Sequence, residues 1–405
     1  MTCMNQEPKV IELFEYEPQV LARRDLSVDD AQLIRDNFGG KVSVEPTSFQ
    51  PDADWKISSE GWVGYIPLNP ELGLRLSPKR DIAINNVFQM LEYAYDLKSF
   101  QLQDGLIDCR FSEDLYEMLA DILARRVLDR GKKGYYRSYQ PQSDHLSCVR
   151  GRIDLKKACV APWQAMLFCH FEEHTSDVEE NRILAWSLAQ ILRSGICSNR
   201  TQPAVRQAYR RLAQSAEIEP CLPSACVGRV YNRLNQDYEP MHALCRFFLE
   251  CRGPSHNAGD RKMIPFLVNM GSLYELFVAR WLEKNLDGER YSIQSQEQVL
   301  IDPNLNINFR IDLSIFDRES QSCAFVIDTK YKVGNPKTED IEQVAAYAEA
   351  KGCTEAILVY PECSGHRLHG RIGKINVASA TFSLSEGPEK AGRRFVEESL
   401  GIELK

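Results

Sequence analysis

The apolar residues of this chain change period twice, and those two changes bound what it can fold into. From residue 8 to about 78 they alternate or run in β-branched clusters, in KVIELFEYEP, KVSVEPTSF, WVGYIPL and LGLRLSPKR, with Gly, Pro and Asp between. A period of two buries one face of a strand, so this stretch predicts a β-rich module. One short helix, VDDAQLIRDNF, interrupts it, with Asp29 or Asp30 near its start. At PKRDIAINNVFQMLEYAYDL the spacing turns helical, with Ile84, Val87, Met90 and Leu91 on one face, and a helix closes the module.

From about 105 to 262 the expectation is mainly helix. FSEDLYEMLADILARRVLDRGKKG carries the stripe Leu115, Met118, Leu119, Ile122 and Leu123, ended by Gly131 or Gly134. In DVEENRILAWSLAQILRSG, Ile183, Leu184, Leu188 and Ile191 share a side, and SDVEEN reads as a helix start capped by Ser176 or Asp177. AVRQAYRRLAQSAE and YEPMHALCRFFLECR are two further helices, while GYYRSYQPQSDHLSCVRGRIDLKK is an extended break. GPSHNAGD is the most linker-like stretch. Beyond it the period changes again. SLYELFVARWLEKNL is helical, SIQSQEQVLID, NINFRIDLSIFD and CAFVIDTKYK are strands, TEDIEQVAAYAEAKG is a helix and EAILVYP a strand. The expected fold is α+β and multidomain: a β-rich module at 1–100, a mainly helical region at 101–262, and an α/β domain with a mixed sheet at 263–405.

No apolar run approaches the roughly 18 residues of a membrane span, and the polar start MTCMNQEPKV suits a first strand better than a targeting segment. Thirteen cysteines, an odd number with no CxxC, read as reduced thiols of a soluble cytoplasmic chain. His170 and His174 have helical metal spacing but no third ligand, so ordinary histidines are expected there and at His145. A net charge of −8 argues against a chain coated for non-specific nucleic-acid binding, though not against a local basic patch.

The chemistry concentrates in the last region. In NFRIDLSIF, Phe309, Ile311, Leu313 and Ile315 hold one parity, and Arg310, Asp312 and Ser314 the other. In CAFVIDTKYK, Asp328, Lys330 and Lys332 share a parity. A hairpin turning near residue 320 sets Asp312 opposite Asp328, with Cβ atoms about 5 Å apart. Two carboxylates that close repel unless a divalent cation lies between them, and oxygen ligands favour Mg²⁺ or Mn²⁺. A lysine beside them would orient water or stabilise charge on a phosphate. The plain alternative is an Asp–Lys ion pair on a solvated sheet face.

Asp312 followed by Asp328-Thr329-Lys330 resembles the PD-(D/E)XK nuclease signature, and Gln343 with Tyr347 resembles the extra Q-x-x-x-Y motif of its RecB-like members. Glu275 resembles the helix glutamate that some members add to the metal site; it is otherwise a solvated charge beside Tyr274, Val278 and Trp281. LSPKRDIAINNVFQMLEYAYDL, VRGRIDLKK, DVEENRILAWSLAQIL and GSLYELFVARWL together resemble McrC, the nuclease subunit of McrBC-type 5-methylcytosine restriction systems.

That resemblance implies an Mg²⁺-dependent (or Mn²⁺-dependent) endonuclease. It would have Asp312, Asp328 and Glu275 on the metal and Lys330, Gln343 and Tyr347 in the site. It implies a partner, a hexameric McrB-like AAA+ GTPase, and double-stranded methylated DNA as substrate. Its N-terminal portion would engage that partner and stimulate hydrolysis. GTP would belong to the partner, since no G-x-x-x-x-G-K-[ST] occurs here. Arg150 and Arg152, in the most basic stretch, are assigned to GTPase stimulation, and Lys132, Lys133, Tyr135, Tyr136 and Lys332 to possible DNA contacts. The competing readings are a stand-alone RecB-like nuclease and a regulator whose nuclease site has decayed.

Overall fold

The structure is a computed structural model. It describes residues 8–50, 52–97, 112–160, 163, 165–258, 261–302, 307–332, 335–362 and 367–404. The chain divides into two compact units, residues 1–115 with 253–405, and residues 116–252.

The first unit begins with β1 (Lys9–Phe14), β2 (Gln19–Leu21), α1 (Val28–Phe38), β3 (Val42–Pro46), β4 (Trp55–Ser59), β5 (Trp62–Asn69), β6 (Leu72–Ser77) and α2 (Ile84–Ala94). The alternation seen in the sequence sends Ile11, Leu13, Leu72, Leu74 and Leu76 into one core with Trp55, Ile34 and Phe38. Helix α1 starts at Ser27, whose hydroxyl accepts from the Asp30 amide, so the cap is the serine before the two acids. The short strands β2 and β4 were not read from the sequence; with β3 they form a sheet of order β2-β4-β3.

The second unit contains α3 (Ser112–Lys133, which crosses into it at Tyr116), β7 (Ser138–Leu146), β8 (Arg152–Ile153), α4 (Leu155–Val160), β9 (Leu167–Thr175), α5 (Glu179–Ser194), α6 (Gln202–Ala213) and α7 (Tyr238–Glu250). The α5 stripe Ile183, Leu184, Leu188 and Ile191 is buried, as its spacing requires. Neither Ser176 nor Asp177 caps this helix. Its N-cap is Val178 without a side-chain bond, because Ser176 donates to Ser215 O and Asp177 is drawn off by Arg182 at 2.7 Å. The extended break is a long antiparallel ribbon, order β7-β9-β8, in a region expected to be mainly helical. His170 and His174 lie on strand β9, which removes the helical spacing.

Returning to the first unit, the chain forms β10 (His256–Ala258), β11 (Arg261–Met263), β12 (Phe266–Asn269), α8 (Met270–Asn285), β13 (Tyr291–Asp302), β14 (Ile307–Asp317), β15 (Ser322–Thr329), α9 (Thr338–Lys351), β16 (Glu355–Tyr360), β17 (His369–Ile372), β18 (Ile375–Thr381) and α10 (Pro388–Phe395). The linker-like GPSHNAGD falls where β10 pairs with β11. Strand β12 then joins the N-terminal sheet, order β1-β6-β5-β12, through Phe266–Asn269 against Trp62–Tyr65. Helix α8 packs on α2, with Tyr93 edge-on to Phe277 at 5.7 Å. The β-rich module and the C-terminal region are therefore one unit, in place of the separate units expected at 1–100 and 263–405. Sequence order concealed this, since the pairing of β12 with β5 spans some two hundred residues.

The largest sheet has order β13-β14-β15-β16-β18-β17. Strands β13, β14 and β15 are antiparallel neighbours, β15 and β16 are parallel across the α9 crossover, and β16 and β18 are parallel. Ile311, Val326, Leu358 and Val377 pack beneath α9 residues Val344, Ala345 and Ala348. The expected α+β organisation of several sheets and helices is borne out.

Candidate active site

Leu313 pairs with Ile327 at the end of the β14–β15 ladder, so the next residues outward on each strand are Asp312 and Asp328. The pleat that buries Ile311, Leu313 and Ile315 turns Asp312 the other way. Asp312 Oδ2 accepts from the Thr329 amide at 3.0 Å and from the Thr329 hydroxyl at 3.3 Å, which fixes its carboxylate across the end of β15. Asp328 is only 1% exposed, and Lys330 Nζ lies 2.8 Å from its Oδ2. The ammonium is thus paired with a carboxylate held almost entirely out of water. The lysine also donates to Gln343 Oε1 at 2.9 Å, and Gln343 Nε2 donates to the Tyr347 hydroxyl at 2.7 Å. One turn of α9 separates Gln343 and Tyr347, so both face the strand end. Tyr347 is itself fixed by Phe309, with ring centroids 5.3 Å apart.

The electrostatics of the site are those of crowded acids. Burial, then the Asp312 charge, pushes the Asp328 carboxyl up to about 7 against the pull of Lys330. Burial also raises Asp312, opposed by the Thr329 bonds and by Lys330. Glu275 on α8 is pushed up to about 8 by burial and then by Asp312, with Asp328 adding to it. Its Oε1 is buried with no hydrogen-bond partner. Burial works against the charge of Lys330, but Asp328 and Asp312 outweigh it and its pKa is raised.

A buried Glu275 oxygen without a hydrogen-bond partner and three acids raised chiefly by burial fit a cation in chemistry: all donors are hard oxygens, as Mg²⁺ and Mn²⁺ prefer. In geometry the carboxylates are not closed. Among the described residues no three acids, histidines or cysteines converge on one point, and the Lys330 ammonium neutralises Asp328 instead.

The other expected residues are dispersed. Lys332 lies beyond β15, past a tight turn, and pairs with Asp340 of α9. In the second unit, Lys132 pairs with Asp129 at 2.7 Å and Lys133 is exposed. Tyr136 is edge-on to Tyr238 at 6.2 Å, and its amide donates to the Tyr238 hydroxyl. Tyr135 is half-buried, so neither ring is freely presented for stacking. Arg150 and Arg152 are exposed on the ribbon, with the Arg150 guanidinium 4.4 Å over Phe171. His170 sits 3.6 Å from Asp154 and bonds Ser143, without a metal cluster.

Thr329 and Asp340 belong to the site and were not singled out from the sequence. Thr329 carries a signal within D-T-K, as the one short hydroxyl able to reach back to the neighbouring strand. Asp340 carries none, because its link to Lys332 depends on where α9 starts.

The fold thus defines an α+β protein of two compact units, with an acid–lysine site at the end of a mixed sheet. Residues 57–361 match the family model described as McrBC 5-methylcytosine restriction system component, and the chain belongs to that family, on its McrC side. It is 22% identical over 260 residues to the type IV methyl-directed restriction enzyme EcoKMcrBC of Escherichia coli K12, covering 62% of this chain and 73% of that one. It is also similar to a chain of the refined half-complex from the tetradecameric assembly of Thermococcus gammatolerans McrB AAA+ hexamers with bound McrC. There the TM-score is 0.56 at 17% identity, with 96% of this chain and 100% of the other covered. In the McrBC complex of the same organism a chain matches with TM-score 0.44 at 17% identity, over 69% of this chain and 88% of that chain.

Proposed function

We propose that the chain is the nuclease subunit of a modification-dependent restriction system of the 5-methylcytosine type, cutting DNA when assembled with an McrB-like AAA+ GTPase hexamer. The observation that carries the reading is the buried Asp328 carboxylate, next to Asp312 at the strand end and in contact with Lys330. A structural ion pair has no need of a second acid at that distance. A site that accepts a divalent cation does.

Asp312, Asp328 and Glu275 are the residues that would hold Mg²⁺ or Mn²⁺, which when bound neutralises phosphate charge and makes a coordinated water more acidic. The chain's own residues do the rest. Thr329 holds Asp312 in place, and Gln343 and Tyr347 hold the Lys330 ammonium at the strand end. From there Lys330 can meet negative charge as it grows on the phosphate oxygens. The ribbon of the second unit supports the partner assignment. Its β7 strand is mostly exposed, and it bears Arg150 and Arg152, with the exposed apolar side chains Val149, Leu155, Val160 and Trp163 on and next to it. Such side chains are usually covered by another protein. GTP belongs to the partner, and the setting is cytoplasmic.

The test mixes the chain, a neighbouring-gene AAA+ protein, GTP and Mg²⁺ with methylated and unmethylated DNA, with Asp328→Ala alongside. Cutting that requires partner, nucleotide, methylation and Asp328 supports the reading. Cutting by the chain alone points to a stand-alone nuclease. Stimulated hydrolysis without cutting points to a regulator.

A further inference from the structure

Tyr331 stands between the two lysines of the site segment and is buried, although neither neighbour is. It is the middle residue of a tight turn in which the Lys332 amide donates to Lys330 O at 2.8 Å, while the Lys330 amide donates to Val359 O. The direction in which the two lysines leave the strand therefore depends on where the Tyr331 side chain is anchored. Its anchors come from the N-terminal module. The hydroxyl donates to Glu15 Oε2 at 3.0 Å, and Lys79 Nζ lies 4.4 Å over the ring. Glu15 follows β1 and Lys79 follows β6, which are parallel neighbours. On the other side the ring meets Tyr274, the residue before Glu275, at 6.1 Å.

Glu15 is 2% exposed, and its Oε1 has no hydrogen-bond partner. A buried carboxylate so incompletely satisfied costs stability, and an apolar side chain of similar volume would cost less. Burial pushes its carboxyl up to about 7, with Tyr331 and Lys79 pulling the other way.

We propose that Glu15 and Lys79 are positioning residues for the nuclease site: by clamping Tyr331 they fix the turn that delivers Lys330 to Asp328, which makes the N-terminal module part of the site. The proposal rests on the reading of Lys330 given under Proposed function.

The test compares Glu15→Leu, Glu15→Gln, Tyr331→Phe and the double variant Glu15→Leu/Tyr331→Phe in the assembled complex. Glu15→Leu is expected to lower kcat about tenfold with KM for DNA unchanged. Glu15→Gln keeps an acceptor for Tyr331 and restores most of the rate. The double variant cuts no more slowly than the worse single one, because both remove the same bond. Wild-type kcat in Glu15→Leu overturns the proposal, as does a loss that follows a fall in stability and is equal in Glu15→Gln. Should the assembled wild type fail to cut, the nuclease reading falls, and amide exchange of the 325–332 peptide decides the clamp alone. Faster exchange in Glu15→Leu supports it, and unchanged exchange overturns it.

Discussion

The strand-end site and the ribbon of the second unit use charge in opposite ways. At the site the Asp328, Asp312 and Glu275 carboxyls are raised chiefly by burial, and a Glu275 oxygen is left without a hydrogen-bond partner. On the ribbon the charged residues are exposed or locally paired: Arg150 lies over Phe171, and the Asp154 carboxyl, lowered chiefly by the Lys157 amide, sits beside His170. The first arrangement keeps its acids out of water. The second leaves apolar side chains in water, Trp163 80% exposed among them. On the proposed function the first region serves chemistry and the second contact, and variants should separate them.

The largest effect falls on the site. Asp328→Ala or Lys330→Ala is expected to reduce DNA cleavage by at least about a thousandfold while leaving partner assembly and GTPase stimulation intact. Gel-based cleavage and phosphate-release assays on the same samples read both. A mutant that still cuts DNA removes the site assignment. The converse variant is Arg152→Ala on the ribbon, which is expected to lower stimulation of the partner's hydrolysis by about tenfold or more. Intact stimulation would remove the assignment of Arg152 to GTPase stimulation. Gln343→Ala is milder. It frees Lys330 from one of its two anchors, and cleavage is expected to fall by roughly fivefold to tenfold, with DNA affinity unchanged.

How far the two regions could be read from the sequence differs for a physical reason. The site sits on strands whose alternation is strict, so the parity of Ile311, Leu313 and Ile315 placed Asp312, and the position of the turn placed Asp328 across from it. Gln343 and Tyr347 came from the resemblance to the RecB-like Q-x-x-x-Y motif, whose i, i+4 spacing puts both on one side of a helix, where they bond each other. The tight turn at Tyr331, which ends the period of two before Lys332, was not legible, because nothing local marks it. The ribbon was read only as an extended break. Its β9 strand has few buried residues to set a period, and its partner strand β7 is mostly exposed on both faces. The joining of β12 to β5 was equally hidden, because four residues with no polar alternation do not declare which sheet they enter. Patterning reports burial, so it is informative where one face is covered and silent where both or neither are.

The smallest expected effect sharpens the contrast in titration. Asp328 and Glu275 have carboxyls raised to about 7 and about 8, far above their values in an unfolded chain. The folded state therefore binds protons more tightly than the unfolded state between about pH 4 and pH 8. In that window the stability of the metal-free chain rises as pH falls, and it is lost as pH climbs through the folded-state values. Glu275 is partly exposed and the site is one part of a large unit, so lowering the pH from 8.5 to 6.5 should raise the melting temperature by only a few degrees. Saturating Mg²⁺ favours the ionised carboxylates and should cancel or invert this slope. Asp328→Asn should reduce it in the absence of metal, the raised Glu275 and Glu15 carboxyls keeping the remainder, while ribbon variants such as Arg152→Ala should leave it unchanged. Scanning calorimetry across this pH range, with and without Mg²⁺, makes the measurement. A wild-type slope that neither metal nor Asp328→Asn alters would mean that the crowded acids are not where the cation binds.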